Sequence, residues 1–329
     1  MTGARMTIRR GTQEPDLRPV RPDELATCAA IWRVAINDYI ERLNRPLIPD
    51  DLTSIMTLCE HVRATDPERF IVATRPDADA PQGERIIGFA SAIVRGPSWF
   101  LTMLFVLPEE QGLGLGRTLL EGVLPPAEAG LHLGTAIDSA QPISSALYSR
   151  YGIHPRLPIL NLIGELRHRD ALPELPAGVT ATPFESIAAG PPDGPGHREL
   201  SEAVGAIDRE ILGYEHAQDH RHLRLEGRRG FLYRDGAGAS LGYGYGSEVG
   251  RLGPVAVLRA ELLGPVLGHL LGAVRPRGAY TVWVPGSATD ALTTLLAAGL
   301  RIEPFPVLLC WDRPTVDFTR YLPISTGVL

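Results

Sequence analysis

LFVLPEEQGLGLGRTLL (Leu104–Leu120) decides how the rest of the chain is read. Its first residues close the apolar run WFLTMLFVL (Trp99–Leu107), which reads as a strand, while Leu119, Leu120, Val123 and Leu124 beyond it recur at helical spacing. Between the two lie Gly112, Gly114 and Gly116. A helix N-terminus leaves several backbone N–H groups without intrahelical partners and carries partial positive charge, and glycines there let an anion approach the backbone closely. Strand, glycine turn and helix in that order predict an α/β fold with a ligand at the strand's end.

Upstream, LRPV (Leu17–Val20) is a short strand candidate, and Leu25, Cys28, Trp32, Ile36, Tyr39 and Leu43 share one face of a predicted helix that Pro46 and Pro49 terminate. A second helix is expected over Leu52–Val62, then strands at RFIVAT (Arg69–Thr74) and IIGFASAIV (Ile86–Val94), joined by the turn-rich loop RPDADAPQG. Downstream follow a strand at HLGTAID (His132–Asp138) and a helix over Ser144–Tyr151.

ALPELPAG (Ala171–Gly178), rich in proline and poor in bulky side chains, reads as an interdomain linker. Beyond it the order repeats: a strand at Val179–Pro183, helices between His197 and Leu225, strands at GFLYR, LGYGYG and GPVAVL, a helix over Leu262–Val274, a strand at AYTVWV and a helix at ALTTLLAAG. The expectation is an internal duplication with domains at residues 17–170 and 177–329, each a mixed twisted sheet flanked by helices.

Composition excludes several function classes. The 329 residues contain no lysine, so all 32 basic residues are arginine; a pyridoxal Schiff base and a P-loop ammonium both need lysine. Net charge is −6, and RHLRLEGRR (Arg221–Arg229) reads as a solvated surface in an acidic chain, so no nucleic-acid partner is expected. Cys28, Cys59 and Cys310 form neither a disulfide framework nor a metal spacing. The polar stretch MTGARMTIRRGTQEPD lacks a signal-peptide core, and no run of apolar residues is long enough to span a bilayer. A cytoplasmic protein, not associated with membrane, is expected. His216, His220 and His222 lack the HExxH arrangement, so no metal is expected.

Three cofactor classes use a glycine-rich helix start. Gly112 and Gly114 followed by Arg117 fail the third glycine of the dinucleotide fingerprint, and no GK[ST] follows, which leaves coenzyme A. The stretch resembles the acyl-CoA-binding motif of the GNAT superfamily, Q/R-x-x-G-x-G/A, with Gln111, Gly114 and Gly116 matching. About thirty residues on, QPISSALYSRYGI resembles the same family's N-x-x-A-x-x-L-Y-x-x-x-G-F, with Leu147, Tyr148 and Gly152 matching and Gln141, Ser144 and Ile153 departing from it.

The resemblance covers residues 17–168 and implies two tandem GNAT-like domains, of the type of two-domain relatives, some of which acylate amino sugars of glycopeptide antibiotics. It implies an acyl-CoA co-substrate, acetyl or longer, held by Gln111, Gly112, Leu113, Gly114, Leu115, Gly116 and Arg117, with the pantetheine arm along the backbone of Leu104, Phe105 and Val106. Tyr148 matches the tyrosine that returns a proton to the leaving thiolate; a phenol of pKa about 10 serves a thiolate of about 8.5. Family members often place a carboxylate base on the third or fourth strand, yet Phe89–Leu107 contains none.

Candidates for the proton-accepting or orienting role are therefore Ser98 at the start of the fourth strand, His197, His154, and Asp138, whose alternative role is a helix cap. In the second half the segment equivalent to QGLGLG is LRAELLG (Leu258–Gly264), with Glu261 where phosphates would sit, and Leu295 stands at the position of Tyr148. The second domain is expected to bind no cofactor and to shape the acceptor site. The expected activity is acyl transfer from acyl-CoA to a primary amine of a small molecule, possible acceptors including an antibiotic's amino sugar; the alternatives are a non-catalytic acyl-CoA-binding module and a nicotinamide enzyme. Oligomeric state is left open.

Overall fold

Pro22 fixes the backbone at the first turn and the Glu24 carboxylate accepts the Arg21 backbone N–H at 2.8 Å, so the first long helix begins where a proline and a capping acid favour it. The computed structural model describes residues 14–80 and 82–329. The reading of the polar N-terminal stretch falls, for residues 1–13, outside the described residues, as does Pro81 of the expected hairpin loop.

In the first half of the chain β1 (Asp16–Pro19) is followed by α1 (Leu25–Arg42), α2 (Thr53–Thr65), β2 (Phe70–Pro76), β3 (Glu84–Arg95), β4 (Ser98–Val106), α3 (Leu115–Val123), β5 (His132–Asp138), α4 (Pro142–Ser149) and β6 (His154–Gly164). The second half repeats the order, with β7 (Thr180–Pro183), a one-turn α5 (Phe184–Ile187), α6 (Pro195–Ile211), α7 (Ala217–Leu225), β8 (Arg229–Arg234), β9 (Ser240–Gly246), β10 (Arg251–Val257), α8 (Leu263–Ala273), β11 (Tyr280–Pro285), α9 (Thr289–Ala297), β12 (Arg301–Ile302), β13 (Val307–Trp311) and β14 (Tyr321–Leu322). The duplication expected from the repeated strand and helix pattern is present.

Contacts divide the chain into two compact units. One holds the described residues up to Ser91 together with Met103–Leu124; the other holds Ala92–Thr102 and Pro125–Leu329. In the first unit β2 lies antiparallel between β1 and β3. Phe70, Phe89 and Phe105 stack through its core with ring centroids 5.7 Å apart at each step. Leu119, Leu120 and Val123 of α3 are buried in this unit, each contributing about 1.5–3 kcal/mol by leaving water. Gly122 lets α3 approach β2, because a Cβ there would lie 2.6 Å from the end of Ile71.

In the second unit the start of β4 pairs in parallel with β5, from Ser98↔His132 to Leu101↔Thr135. β13 lies between β5 and β6, antiparallel to both, and β6 pairs in turn with β11 over six residues. A strand from the chain's C-terminal end thus completes the sheet begun by β5. β10, β9, β8 and β7 extend that sheet beyond β11. Its core is aliphatic: Val255, Val257, Leu263, Val266, Leu267, Leu270, Leu271, Val282, Val284 and Leu295 are all essentially inaccessible.

The apolar face assigned to α1 from the sequence is corrected. Leu25 and Cys28 are buried, but they are joined by Ala29, Ile31, Ala35 and Ile40, while Trp32, Ile36, Tyr39 and Leu43 stay partly exposed. RHLRLEGRR is likewise not uniformly solvated: Arg228 is buried, donating to the carbonyl of Gly253 at 2.6 Å and to Glu226 at 3.2 Å. Among the described residues no helix is long and apolar enough to cross a membrane.

Candidate functional site

The glycine loop takes the conformation its residues favour. Gly112 has φ +78° and Gly114, the residue capping α3, has φ +88°, values that cost a side-chain-bearing residue about 1–2 kcal/mol. A Cβ built on either would meet nothing within 4 Å, so both face open space. The first turn of α3 holds no acid, and Arg117 is exposed beside Glu121 at 2.9 Å. An anion at this helix start would meet backbone N–H groups and the positive end of the helix dipole, with the Arg117 guanidinium, itself paired with Glu121, close by.

The loop is anchored from below. Gln111 Nε2 donates to the carbonyl of Val106 at 3.0 Å, tying the loop to the end of β4, and buried Glu110 accepts from Arg75 at 3.2 Å and from Arg85 at 2.7 Å. The Leu107 N–H donates to Ile87 of β3 at 3.0 Å, and the Phe105 carbonyl lies close against Gly88. Backbone groups alternate sides along a strand, so Phe105 turns its own toward β3 while Leu104 and Val106 turn theirs to the opposite side. Of the three backbones the resemblance assigns to a pantetheine arm, Leu104 and the Val106 N–H have the orientation for it. Leu113 projects into solvent, while Leu115 and Gly116 form the first turn of the helix.

Tyr148 lies on α4, 6% exposed, hydrogen-bonded to the Ser144 side chain and close to Cys310 of β13. Burial pushes its phenol well above the ordinary range, so the hydroxyl keeps its proton at neutral pH and has it to donate. Ser98, buried at the end of β4 opposite the glycine loop, hydrogen-bonds Tyr214 of the second half. Asp138 accepts the Ala140 backbone N–H at 2.9 Å and so shapes the turn into α4, and His154 is exposed at the start of β6. In the second half the helical turn at Ala260–Leu262 replaces a glycine loop, Glu261 is exposed there, and Leu295 is core.

His197 borders a cavity of about 510 Å³ built wholly from second-half residues, among them Leu200, Val204, Asp208, His220 and Arg224. Its Nδ1 is buried without a hydrogen-bond partner. At the cavity wall the structure assembles a buried polar cluster. His216, which precedes α7, and His220 within it bring their rings to 4.4 Å, and both meet Asp208 of α6. The sequence lacks HExxH, yet His216 and His220, four residues apart, are brought together all the same; His222 points elsewhere, to Glu226. The missed signal was HAQDH (His216–His220), two histidines at i, i+4 with an acid between them. Asp208 and the buried partner of Asp219, Arg95, lie too far away in sequence to be joined to that motif by spacing.

Residues 30–153 match the family model described as the Acetyltransferase (GNAT) family, and that region is acetyltransferase-like on this ground. Over nearly its whole length the fold is similar to solved structures. A putative acetyltransferase from Pyrococcus horikoshii is 15% identical, with 100% of each chain covered and a TM-score of 0.68. A GCN5-related N-acetyltransferase from Sphaerobacter thermophilus is 20% identical over 93% of this chain and 98% of that one, at a TM-score of 0.55. A tandem GNAT protein from the clavulanic acid biosynthesis pathway is 17% identical over 92% of this chain and 99% of that one, at 0.51. No curated protein matches in sequence. At such identities the likeness concerns the fold: a mixed α/β GNAT fold in tandem arrangement.

Proposed function

We propose that this chain is an acyl-CoA-dependent N-acyltransferase acting on a primary amine of a small molecule, with one donor site, in a domain spanning residues 17–170. The observation that carries the proposal is the start of α3. Two left-handed glycines there face open space and the helix's first turn is free of acid, whereas the start of α8 in the second half has no left-handed glycine and follows directly on the turn that carries Glu261. Gln111, Gly112, Leu113, Gly114, Leu115, Gly116 and Arg117 would hold the pyrophosphate, and Leu104 and Val106 the pantetheine arm. The donor supplies an activated thioester.

The protein's own contributions follow from its side chains. Tyr148 keeps its proton at neutral pH and is the donor we assign to the leaving sulfur. The amine must lose a proton as it attacks, and the strand segment Phe89–Leu107 offers no carboxylate to take it. We assign that role to His197, which lines a cavity and whose buried Nδ1 has no hydrogen-bond partner, and treat Ser98 as an orienting hydroxyl. The second domain, residues 177–329, is proposed to shape the acceptor site. For the acceptor we favour an amino-sugar amine, on the resemblance to two-domain relatives alone.

A non-catalytic acyl-CoA-binding module is the second reading, favoured by the lack of a strand carboxylate. One experiment separates the readings: the protein is offered acetyl-CoA or a longer acyl-CoA with a panel of amino sugars, aminoglycosides and peptides, and free thiol and product mass are followed. Acylated amine with released coenzyme A supports the enzyme. Acyl-CoA binding without turnover across the panel leaves the module, and stabilisation by NADH but not by acetyl-CoA overturns both.

A further inference from the structure

The second half's buried cluster has the composition of a metal site. Asp208, His216 and His220 each offer one ligand atom, and the three atoms lie within 4.8 Å of one another. His216 Nε2 is 3.4 Å from Asp208 Oδ2, within the edge length of about 3.3–3.6 Å that a coordination tetrahedron of 2.0–2.2 Å bonds has, and His220 Nε2 is 3.0 Å from the same oxygen, a hydrogen-bond distance that an ion would have to widen slightly. All three residues are buried.

Each ligand's remaining polar atom faces a group suited to hold it. His220 Nδ1 is 2.9 Å from the Tyr245 hydroxyl, Asp208 Oδ1 accepts the Tyr243 hydroxyl at 2.7 Å, and His216 Nδ1 faces Asp219 Oδ2 at 3.5 Å. This is the outer-shell pattern of metal-binding imidazoles, in which the ring nitrogen away from the ion donates to an oxygen. His216 is fully inaccessible, yet neither of its ring nitrogens makes a hydrogen bond of good geometry. Two buried carboxylates, Asp208 and Asp219, stand against one buried guanidinium, Arg95, so the cluster calls for further positive charge.

We propose that Asp208 Oδ2, His216 Nε2 and His220 Nε2 bind a divalent transition-metal ion of the zinc type, with a further coordination position open to the second-half cavity. Asp208 and His220 both line that cavity, which provides the ion's route in and the space for a fourth ligand. The ion joins α6 to α7 across the turn that separates them. Imidazole with a single carboxylate suits zinc, cobalt and iron(II) better than magnesium or calcium, which prefer all-oxygen shells. The site is independent of the glycine loop.

The test uses the full chain, stripped with a chelator and titrated with zinc(II), cobalt(II), iron(II) or magnesium(II) alone in competition with a chromophoric chelator. One zinc per chain, and visible cobalt(II) bands of a four-coordinate complex, are expected. Neither measurement depends on a variant folding. Tyr245→Phe, which removes only the oxygen facing His220 Nδ1, should weaken zinc binding by about ten- to a hundredfold, while His222→Ala, outside the cluster, should leave it unchanged. No retained transition metal in the wild type overturns the proposal, leaving a proton on His216 to balance the carboxylates. So does binding that His220→Ala and His216→Ala leave intact.

Discussion

Arg95, near the end of β3, closes two guanidinium nitrogens on the carboxylate of Asp219 in α7, Nε to Oδ2 at 2.7 Å and Nη2 to Oδ1 at 2.8 Å, with both side chains almost wholly excluded from water. A bidentate pair in this setting fixes orientation as well as proximity. Removing one partner strands a buried charge: Arg95→Ala and Asp219→Ala should each lower unfolding stability by about 3–5 kcal/mol. Replacing both by apolar residues of similar volume should recover much of that loss. Urea unfolding of the two single variants and the double variant checks this; equal, additive losses would show that the two charges do not interact.

Gly114 and Gly83 share a left-handed backbone, at φ +88° and +71°, and a Cβ at either meets nothing within 4 Å. Gly114→Val and Gly83→Val should therefore cost similar stability, about 1–2 kcal/mol. Only Gly114→Val should weaken acetyl-CoA binding, by about tenfold or more, equivalent to about 1.4 kcal/mol. Calorimetric titration of both variants decides: equal affinities would remove the start of α3 as the donor site.

Alkaline pH tests the packing of the second unit. Burial raises the phenol pKa of Tyr148, Tyr214, Tyr233, Tyr243, Tyr245 and Tyr321 above the ordinary value near 10. Above about pH 10 the unfolded chain releases these protons while the folded one retains them. Their contribution is therefore complete below about pH 10 and is lost as pH rises through the folded values. Absorbance at the phenolate band should rise with unfolding, in one cooperative step; gradual ionisation of all tyrosines in a still-folded protein would contradict it.

How much of this was legible in the sequence depended on distance along the chain. The glycine loop was readable because its strand, turn and helix are contiguous, so periodicity and glycine placement carry the whole signal. The face of α1 differs from the one its large apolar side chains mark in sequence, because Ala29 and Ala35, which carry little hydrophobic signal, are buried while Trp32, Ile36 and Tyr39 are partly exposed. β13 joins β5 and β6 by pairing Cys310 with Thr135 and with Pro155, and alternation within a strand names no partner. For the same reason Asp208, eight residues before His216 and on another helix, was invisible as its neighbour, and Ser98 could not be matched to Tyr214.

Tyr148→Phe separates proton donation from packing. The ring remains, so the fold should lose no more than the hydrogen bond with Ser144, about 1 kcal/mol. Acetyl-CoA affinity should stay near wild type while kcat falls by about a hundredfold, the usual scale of a lost general acid. Because the phenol's pKa is raised by burial, the wild-type pH–rate profile should show no tyrosine limb between neutrality and pH 10. His197→Ala should likewise lower kcat and leave donor affinity unchanged, as expected of a group that takes the amine's proton. Unaltered turnover in Tyr148→Phe returns that residue to the core, and unaltered turnover in His197→Ala passes the base role to water.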